Sequence, residues 1–314
     1  LLIASVSFLS SKAQLGTPIL PNQISGMVGY WDFENNADLF QSTSGLGANL
    51  TLGGTSGSII QTNGPGVGDM AITKTTGKYL ICNHGIAANG ASTTFVNKYS
   101  LLIDFKMPAV NNWRTFYQTN FANSNDGDCF MNTTGKIGVS AIGYSASNIL
   151  VNEWYRLVMT VDCGNSIKYY IDGQEWVPGN ADVLNGRFSL ELNGLLLFAD
   201  DNAEDGDMDI AKVVLFDRYL NNNEVFDLGG YGHNPNAVSG STAMLPYLQT
   251  PTENSIYISW HSTNASNTIV KYGTDSANLN LTSAGSSQLI NGNASYRWHT
   301  VQLTGLQPNT EYFY

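Results

Sequence analysis

The residues best suited to chemistry fall in one short acidic run. Asp200, Asp201, Glu204, Asp205, Asp207 and Asp209 lie within ten positions, with Asn202 and Gly206 among them. Calcium takes about six to eight hard oxygen ligands, and loops rich in Asp, Asn and Gly supply them from carboxylates and backbone carbonyls. The run therefore reads as a candidate structural calcium site, with Asp200, Asp201, Asp205, Asp207 and Asp209 as ligands. Its spacing is not that of an EF-hand, which opens D-x-D-x-D-G and closes on a Glu. The competing reading is a solvated loop, since runs of like charge usually face water.

Aromatic residues are the second resource. Trp31, Trp113, Tyr117, Tyr144, Trp154 and Trp176 have faces that can stack on a pyranose ring. Trp176 and Trp113 stand as the carbohydrate-binding candidates. Trp176 is expected to be exposed, because Val-Pro-Gly follows it after the Asp172-Gly173 turn. Against this, aromatics at strand positions usually belong to a core, where they bury the most area per residue. Nucleophilic catalysis finds no footing: the histidines are His84, His233, His261 and His299, no Gly-x-Ser-x-Gly elbow is present, and no Walker or dinucleotide fingerprint appears. Cys82, Cys129 and Cys163 show no C-x-x-C spacing, and one bridge with a free thiol or three buried thiols both fit.

These side chains need a frame, and the periodicity supplies an all-β one. Between 26 and 233, segments at 27–33, 99–107, 113–117, 136–141, 154–161, 167–171, 187–191 and 208–216 read as strands separated by Gly, Asn and Ser turns. The clearest hairpin joins 154–161 to 167–171, and Asp172-Gly173 marks the next turn. So many short strands suit a two-sheet jelly roll. Residues 220–228 read as a short closing helix with an Asn cap, Glu224 in its first turn and Gly229-Gly230 as its stop. Residues 234–244, with Pro235, Ser239, Gly240 and Ser241, read as a linker.

The pieces Gly29-Tyr-Trp-Asp-Phe-Glu-Asn35, Trp154-x-x-Leu-Val-Met-Thr-Val161, Tyr170-Ile-Asp-Gly173 and Ile210-Ala-Lys-Val-Val-Leu-Phe-Asp-Arg-Tyr-Leu220 resemble the laminin-G-like, concanavalin A-type lectin/glucanase superfamily. The resemblance implies a fold more firmly than a ligand. It also implies a calcium held between the first strand and the late acidic loop, so that Asp38 or Asp32 would join Asp209. Glucanases of this type alternate Glu-x-Asp-x-Glu on one strand face, to set two carboxyl groups roughly 5 Å apart. Asp205-Gly-Asp207-Met-Asp209 alternates but has no Glu at either end, so glycoside hydrolysis is not expected.

The C-terminal stretch reads as a second domain, 245–314. Ser255 to Trp260 and Thr268 to Tyr272 alternate with a period of two, Gly273-Thr-Asp-Ser276 is a turn, and Trp298 to Leu303 alternates again. Leu306-Gln-Pro-Asn-Thr-Glu-Tyr312 has the form of a tyrosine corner, in which the hydroxyl bonds to backbone a few residues upstream. Pro246-Tyr-Leu-Gln249, the Ile-x-Ile-x-Trp260 strand, Val270-Lys-Tyr-Gly273 and His299-Thr-Val-Gln-Leu-Thr-Gly-Leu-Gln-Pro-Asn-Thr310 in that order resemble the fibronectin type III-like N-terminal domain of the purple acid phosphatases. In that family the sandwich precedes a two-metal phosphoesterase domain. A bimetal centre of Fe, Zn or Mn is thus expected downstream of Tyr314, and this sandwich, which lacks the remainder of its sixth and seventh strands, is expected to be truncated.

Composition narrows the partners. Fourteen Lys and Arg against 25 Asp and Glu give a net charge of −11, with no basic cluster. That disfavours nucleic acid and anionic membrane surfaces. Leu1 to Leu9 is apolar, and Ser11-Lys-Ala13 before Gln14 resembles a cleavage site. Residues 1–13 therefore read as a signal-peptide remnant, 14–25 as an N-terminal extension, and the protein as secreted or held at the cell surface of a bacterial-type cell. The run is too short to span a bilayer. Together these readings give the non-catalytic N-terminal region of a secreted purple-acid-phosphatase-like metallophosphoesterase, with glycans and a downstream catalytic domain as partners. The alternative is a carbohydrate-binding adhesin with no enzymatic domain.

Overall fold

A computed structural model of the chain describes residues 20–66, 68–231, 246–262, 268–275, 278–290 and 293–314. The expected signal remnant at 1–13 and linker at 234–244 lie outside the described residues. Two compact units are formed, one within 18–236 and the other within 237–314.

The first unit is a sandwich of antiparallel sheets. The larger is eight-stranded and runs Gln174–Asn180, Ser166–Ile171, Trp154–Asp162, Lys98–Lys106, Met208–Phe216, Met70–Lys74, Ile59–Asn63, with Met27–Trp31 pairing the far half of Met208–Phe216. The smaller is seven-stranded and runs Gly143–Tyr144, Ile137–Val139, Cys129–Met131, Arg114–Gln118, Leu195–Leu197, Tyr79–Cys82, Thr51–Gly53.

Alternation explains the central strands. Tyr155, Leu157, Met159 and Val161 point into the core between the sheets, opposite Tyr99, Leu101, Ile103 and Phe105 of the neighbouring strand. Burying such side chains contributes about 1.5–3 kcal/mol each. The other face of the same strands is also covered. Leu102, Val158, Tyr170 and Val214 pack with Val225 and Leu228 of the helix Asn222–Leu228. The Asn221 side chain accepts from the N–H groups of Asn223 and Glu224, while Glu224 accepts from the Asn221 N–H, a reciprocal cap that starts the helix. Gly229 ends it at φ 55°.

The second unit has a four-stranded sheet, Tyr247–Gln249, Ser255–Ser262, Asn293–Thr304, Ser286–Ile290, and a separate hairpin of Ile269–Tyr272 with Leu281–Ala284. Ile256, Ile258, Val270, Tyr272, Val301, Leu303, Leu306 and Tyr312 form its core. His299 is fully buried, stacked on Trp260 at 4.9 Å and bonded through Nδ1 to the Thr268 hydroxyl at 2.7 Å, a structural role.

All three cysteines are buried free thiols. Burial raises each thiol above its ordinary pKa, Cys82 to about 12, so none is a ready thiolate. No described helix is long and apolar enough to cross a membrane.

Candidate functional site

The acidic run occupies the loop from Leu195–Leu197 into the long strand Met208–Phe216, and the structure divides it in two. Its later half is answered by protein donors. Lys74, fully buried, directs its Nζ to the Asp205 carboxylate at 3.0 Å, to the Asp205 carbonyl and to the Gly206 carbonyl. Burial pulls the Lys74 ammonium below its ordinary pKa, and the Asp205 charge pushes the other way. Asp205 also accepts from the Gly77 N–H at 2.8 Å. Asp207 accepts from the Thr76 N–H at 2.8 Å and its hydroxyl at 3.1 Å, and its carbonyl accepts from Arg114 Nε at 2.6 Å. Asp209 pairs with Lys106 at 2.9 Å and accepts from the Thr73 hydroxyl at 2.7 Å.

Asp38 does not join them. It is exposed and caps its own turn, accepting from Phe40 N–H at 3.2 Å and Asn49 Nδ2 at 3.4 Å. Asp32 accepts locally from the Glu34 N–H at 3.4 Å.

The earlier half meets a different neighbour, the loop between Arg114–Gln118 and Cys129–Met131. One carboxylate oxygen from each of Asp126, Asp200 and Asp201 lies within 4.8 Å of the others. Asp200 is 7% exposed and organises both loops, accepting from the N–H groups of Gly127 at 2.9 Å, Asn202 at 3.2 Å and Glu204 at 3.3 Å. Asn123 Nδ2 donates to the Asp200 carbonyl at 3.4 Å. Among the described residues, none of the three carboxylates forms an ion pair. Burial and the Asp200, Asp126 and Asp201 charges hold Glu204's carboxyl above its ordinary pKa.

A cleft of about 540 Å³ opens beside them, lined by Thr119, Asn120, Ser124, Asn125, Asp126, Asp128, Arg187 and Asp201. Its cation, Arg187, is taken by Asp128 at 2.7 Å. A second cleft of about 340 Å³ lies over the outer face of the larger sheet, with Tyr30, Asp32, Glu34, Asp69, Lys212 and Tyr231 in its lining. At its base Arg156 grips Asp104 through two bonds of 2.7 and 2.8 Å, and the Tyr231 hydroxyl donates to the same carboxylate at 3.0 Å. Burial, then Asp32 and Asp104, pushes Tyr30 up to about 12.

The expected exposure of Trp176 is corrected. It is 7% exposed and packs edge-on against Tyr155 at 6.5 Å, because the Asp172-Gly173 turn folds Gln174–Asn180 back on Ser166–Ile171 with Trp176 on the core face. Trp113 is half-buried, edge-on to Phe130 at 5.6 Å and Tyr144 at 6.3 Å. Asp126, Gln118 and Asn123 were outside the sequence reading. The loop of Asn123 and Asp126 reaches Asp200 across some seventy residues of chain, as the Gly127–Asp200 bond does at a separation of 73, and no local period carries that information.

In the second unit, the Tyr312 hydroxyl accepts from the Gln307 N–H at 3.1 Å, and its ring packs against Tyr272 at 6.3 Å. The tyrosine corner is formed. Residues 245–314 match the family model described as Purple acid Phosphatase, N-terminal domain. No curated protein matches the chain.

Among solved structures, the chain is similar to domain 4 of AbnA, a GH43 extracellular arabinanase from Geobacillus stearothermophilus, in complex with arabinotriose. Identity is 20% over 65% of this chain and 98% of that one, with a TM-score of 0.45. Trypanosoma rangeli sialidase in complex with sialic acid is 14% identical over 69% of this chain and 35% of its own, with a TM-score of 0.46. The binding domain of Paraclostridial Mosquitocidal Protein 1 is 14% identical over 85% of this chain and 65% of its own, with a TM-score of 0.44. The chain thus spans about a third of the sialidase.

Proposed function

We propose that this chain is the non-catalytic N-terminal region of a secreted metallophosphoesterase resembling the purple acid phosphatases, with the first sandwich recruiting or positioning the enzyme on glycans. The match of residues 245–314 to the family's N-terminal domain carries the reading. Phosphate monoester hydrolysis would belong to a metal domain beyond Tyr314, where bound metal polarises the ester. Within the described residues, His84 is occupied by the Ile86 N–H at 2.9 Å and the Glu191 carbonyl at 2.8 Å, and the buried thiols are protonated, so neither offers a hydrolytic nucleophile. The cleft beside Asp126 and Asp201 has the mixture of hydroxyl, amide and carboxylate groups that bonds sugar hydroxyls, and its volume is in the ordinary ligand range.

The chain of residues 1–314, assayed with a chromogenic phosphate monoester and added Fe, Zn or Mn, reads no turnover on this account. Metal-dependent turnover contradicts it. A glycan screen then tests recruitment, with retention expected and lost on Asn120→Ala with Asn125→Ala.

A further inference from the structure

We propose that Lys74 and Asp205 become joined by an intramolecular amide bond between the lysine Nζ and the aspartate's side-chain carboxyl carbon. The structure holds the two groups at contact from fixed positions. Lys74 is fully buried, two positions after the core residue Ile72 and on the same face of Met70–Lys74, and it pairs in the sheet with both Ile59 and Met208. A lysine is almost never buried to that extent without a partner. Asp205 is 3% exposed and is fixed on both sides, by the bond from the Thr115 N–H to the Glu204 carbonyl at 2.9 Å and by that from the Gly206 N–H to the Trp113 carbonyl at 3.2 Å. Lys74 Nζ lies 3.0 Å from Asp205 Oδ2, and the carboxyl carbon is one bond further on. Well-oriented groups in one molecule reach effective concentrations of about 10⁵–10⁸ M. Such a concentration, with water excluded, favours a condensation that separate amines and acids in water do not complete.

The two carboxyl oxygens give an independent indication. Oδ2 accepts from the Gly77 N–H at 2.8 Å as well as from Lys74, whereas Oδ1 is buried with no donor. As a carboxylate, Asp205 keeps a buried charged oxygen unsatisfied, which is destabilising. As an amide, it no longer has that oxygen.

The step balances without a co-reactant. A proton passes from the Lys74 ammonium to the Asp205 carboxylate, favoured because burial pulls the ammonium below its ordinary pKa. The amine lone pair attacks the carboxyl carbon, and the Gly77 N–H stabilises the charge that develops on Oδ2. The C–N bond forms, the C–Oδ1 bond breaks, and Oδ1 leaves as water with the transferred proton and one from the amine. The remaining N–H faces the carbonyls of Asp205 and Gly206. The bond ties the end of Met70–Lys74 to the loop before Met208–Phe216 across 131 residues, in a chain whose three cysteines form no disulfide. The ion pair is the state that precedes it, and any substitution that breaks the pair removes the bond as well.

The test is mass spectrometry of the folded chain, first intact under denaturing conditions and then digested with trypsin. The expected intact mass is one water below that of the sequence. The expected digest contains a branched peptide, uncut after Lys74, in which the segment ending at Lys78 is joined to residues 188–212. Lys74→Arg keeps a cation opposite Asp205 but offers no amine, and is expected at full mass; should it fail to fold, the parent digest decides alone. Asp205-Gly206 can also lose a water by closing on its own backbone. A water deficit with Lys74 cut by trypsin and residues 188–212 linear therefore overturns the assignment, as does the same deficit in Lys74→Arg or full mass in the folded parent. The readout is covalent mass, so its failure leaves the phosphoesterase reading standing, and turnover by residues 1–314 would leave the bond standing.

Discussion

From Asp205 to Asp209 two of the three carboxylates pair with buried or half-buried lysines, whereas Asp200, a few positions earlier in the same loop, accepts only from backbone N–H groups and lies with Asp201 against Asp126, with no ion-pair partner among the described residues. The two halves carry three carboxylates each, but only the later one is met by lysines. The density of Asp in a sequence therefore does not locate a cation site; what arrives from the rest of the chain to answer each carboxylate does. Lys74, Lys106 and Arg114 come from three other strands to the later half. To the earlier half come another carboxylate, the Asn123 amide and the Gly127 N–H.

The largest expected effect lies in the answered half. Lys74→Met leaves Asp205 buried without its cation, and loss of one partner of such a pair costs about 3–5 kcal/mol. Urea unfolding measures it. Lys74→Met with Asp205→Leu recovers part of that loss, short of the whole because the Gly77 N–H loses its acceptor. A parent-like Lys74→Met protein would break the comparison at its strongest point.

Next in size is Asp200→Ala. Three backbone N–H groups lose their acceptor, the Gly127 one buried and the other two part-buried, and an unsatisfied buried donor costs about 1–3 kcal/mol. Asp200 has this scaffolding role, which separates it from Asp126 and Asp201. Equal losses at all three positions would erase that distinction.

The smallest effect is set by a half-buried answered carboxylate, Glu224. The hydrogen bond from Arg218 holds Glu224 below its ordinary pKa. A carboxyl depressed in the folded state contributes stability above its unfolded value of 4.5, and that contribution is lost as pH falls through the lowered pKa. Glu224→Gln should cost under about 1 kcal/mol at neutral pH and converge on the parent in acid. A gap that widens in acid would reverse the sign.

How far the sequence went follows the same division between local and distant information. The alternating strands Trp154–Asp162, Lys98–Lys106 and Met208–Phe216 and the capped helix were legible because their signals are periodic or lie within four residues. Strands such as Thr51–Gly53, Ile59–Asn63 and Leu195–Leu197 were missed, being short and defined by the partner they pair with. The tyrosine corner was legible, because Tyr312 and Gln307 are five residues apart. In the acidic run the residue types were visible but their division was not. Lys74 meets Asp205 across 131 residues. Trp176 shows the limit of a turn signal, which fixed the hairpin but not which face would be buried.

One experiment tests the division directly: thermal melts in chelator of the parent, of Asp126→Asn with Asp201→Asn, and of Asp209→Asn. Neutralising unanswered charge relieves repulsion, so the double variant is expected to melt at or above the parent. Asp209→Asn breaks the pair with Lys106 and is expected to melt below it. A double variant that melts below the parent by as much as Asp209→Asn would contradict the account, because its carboxylates would then be answered within the protein.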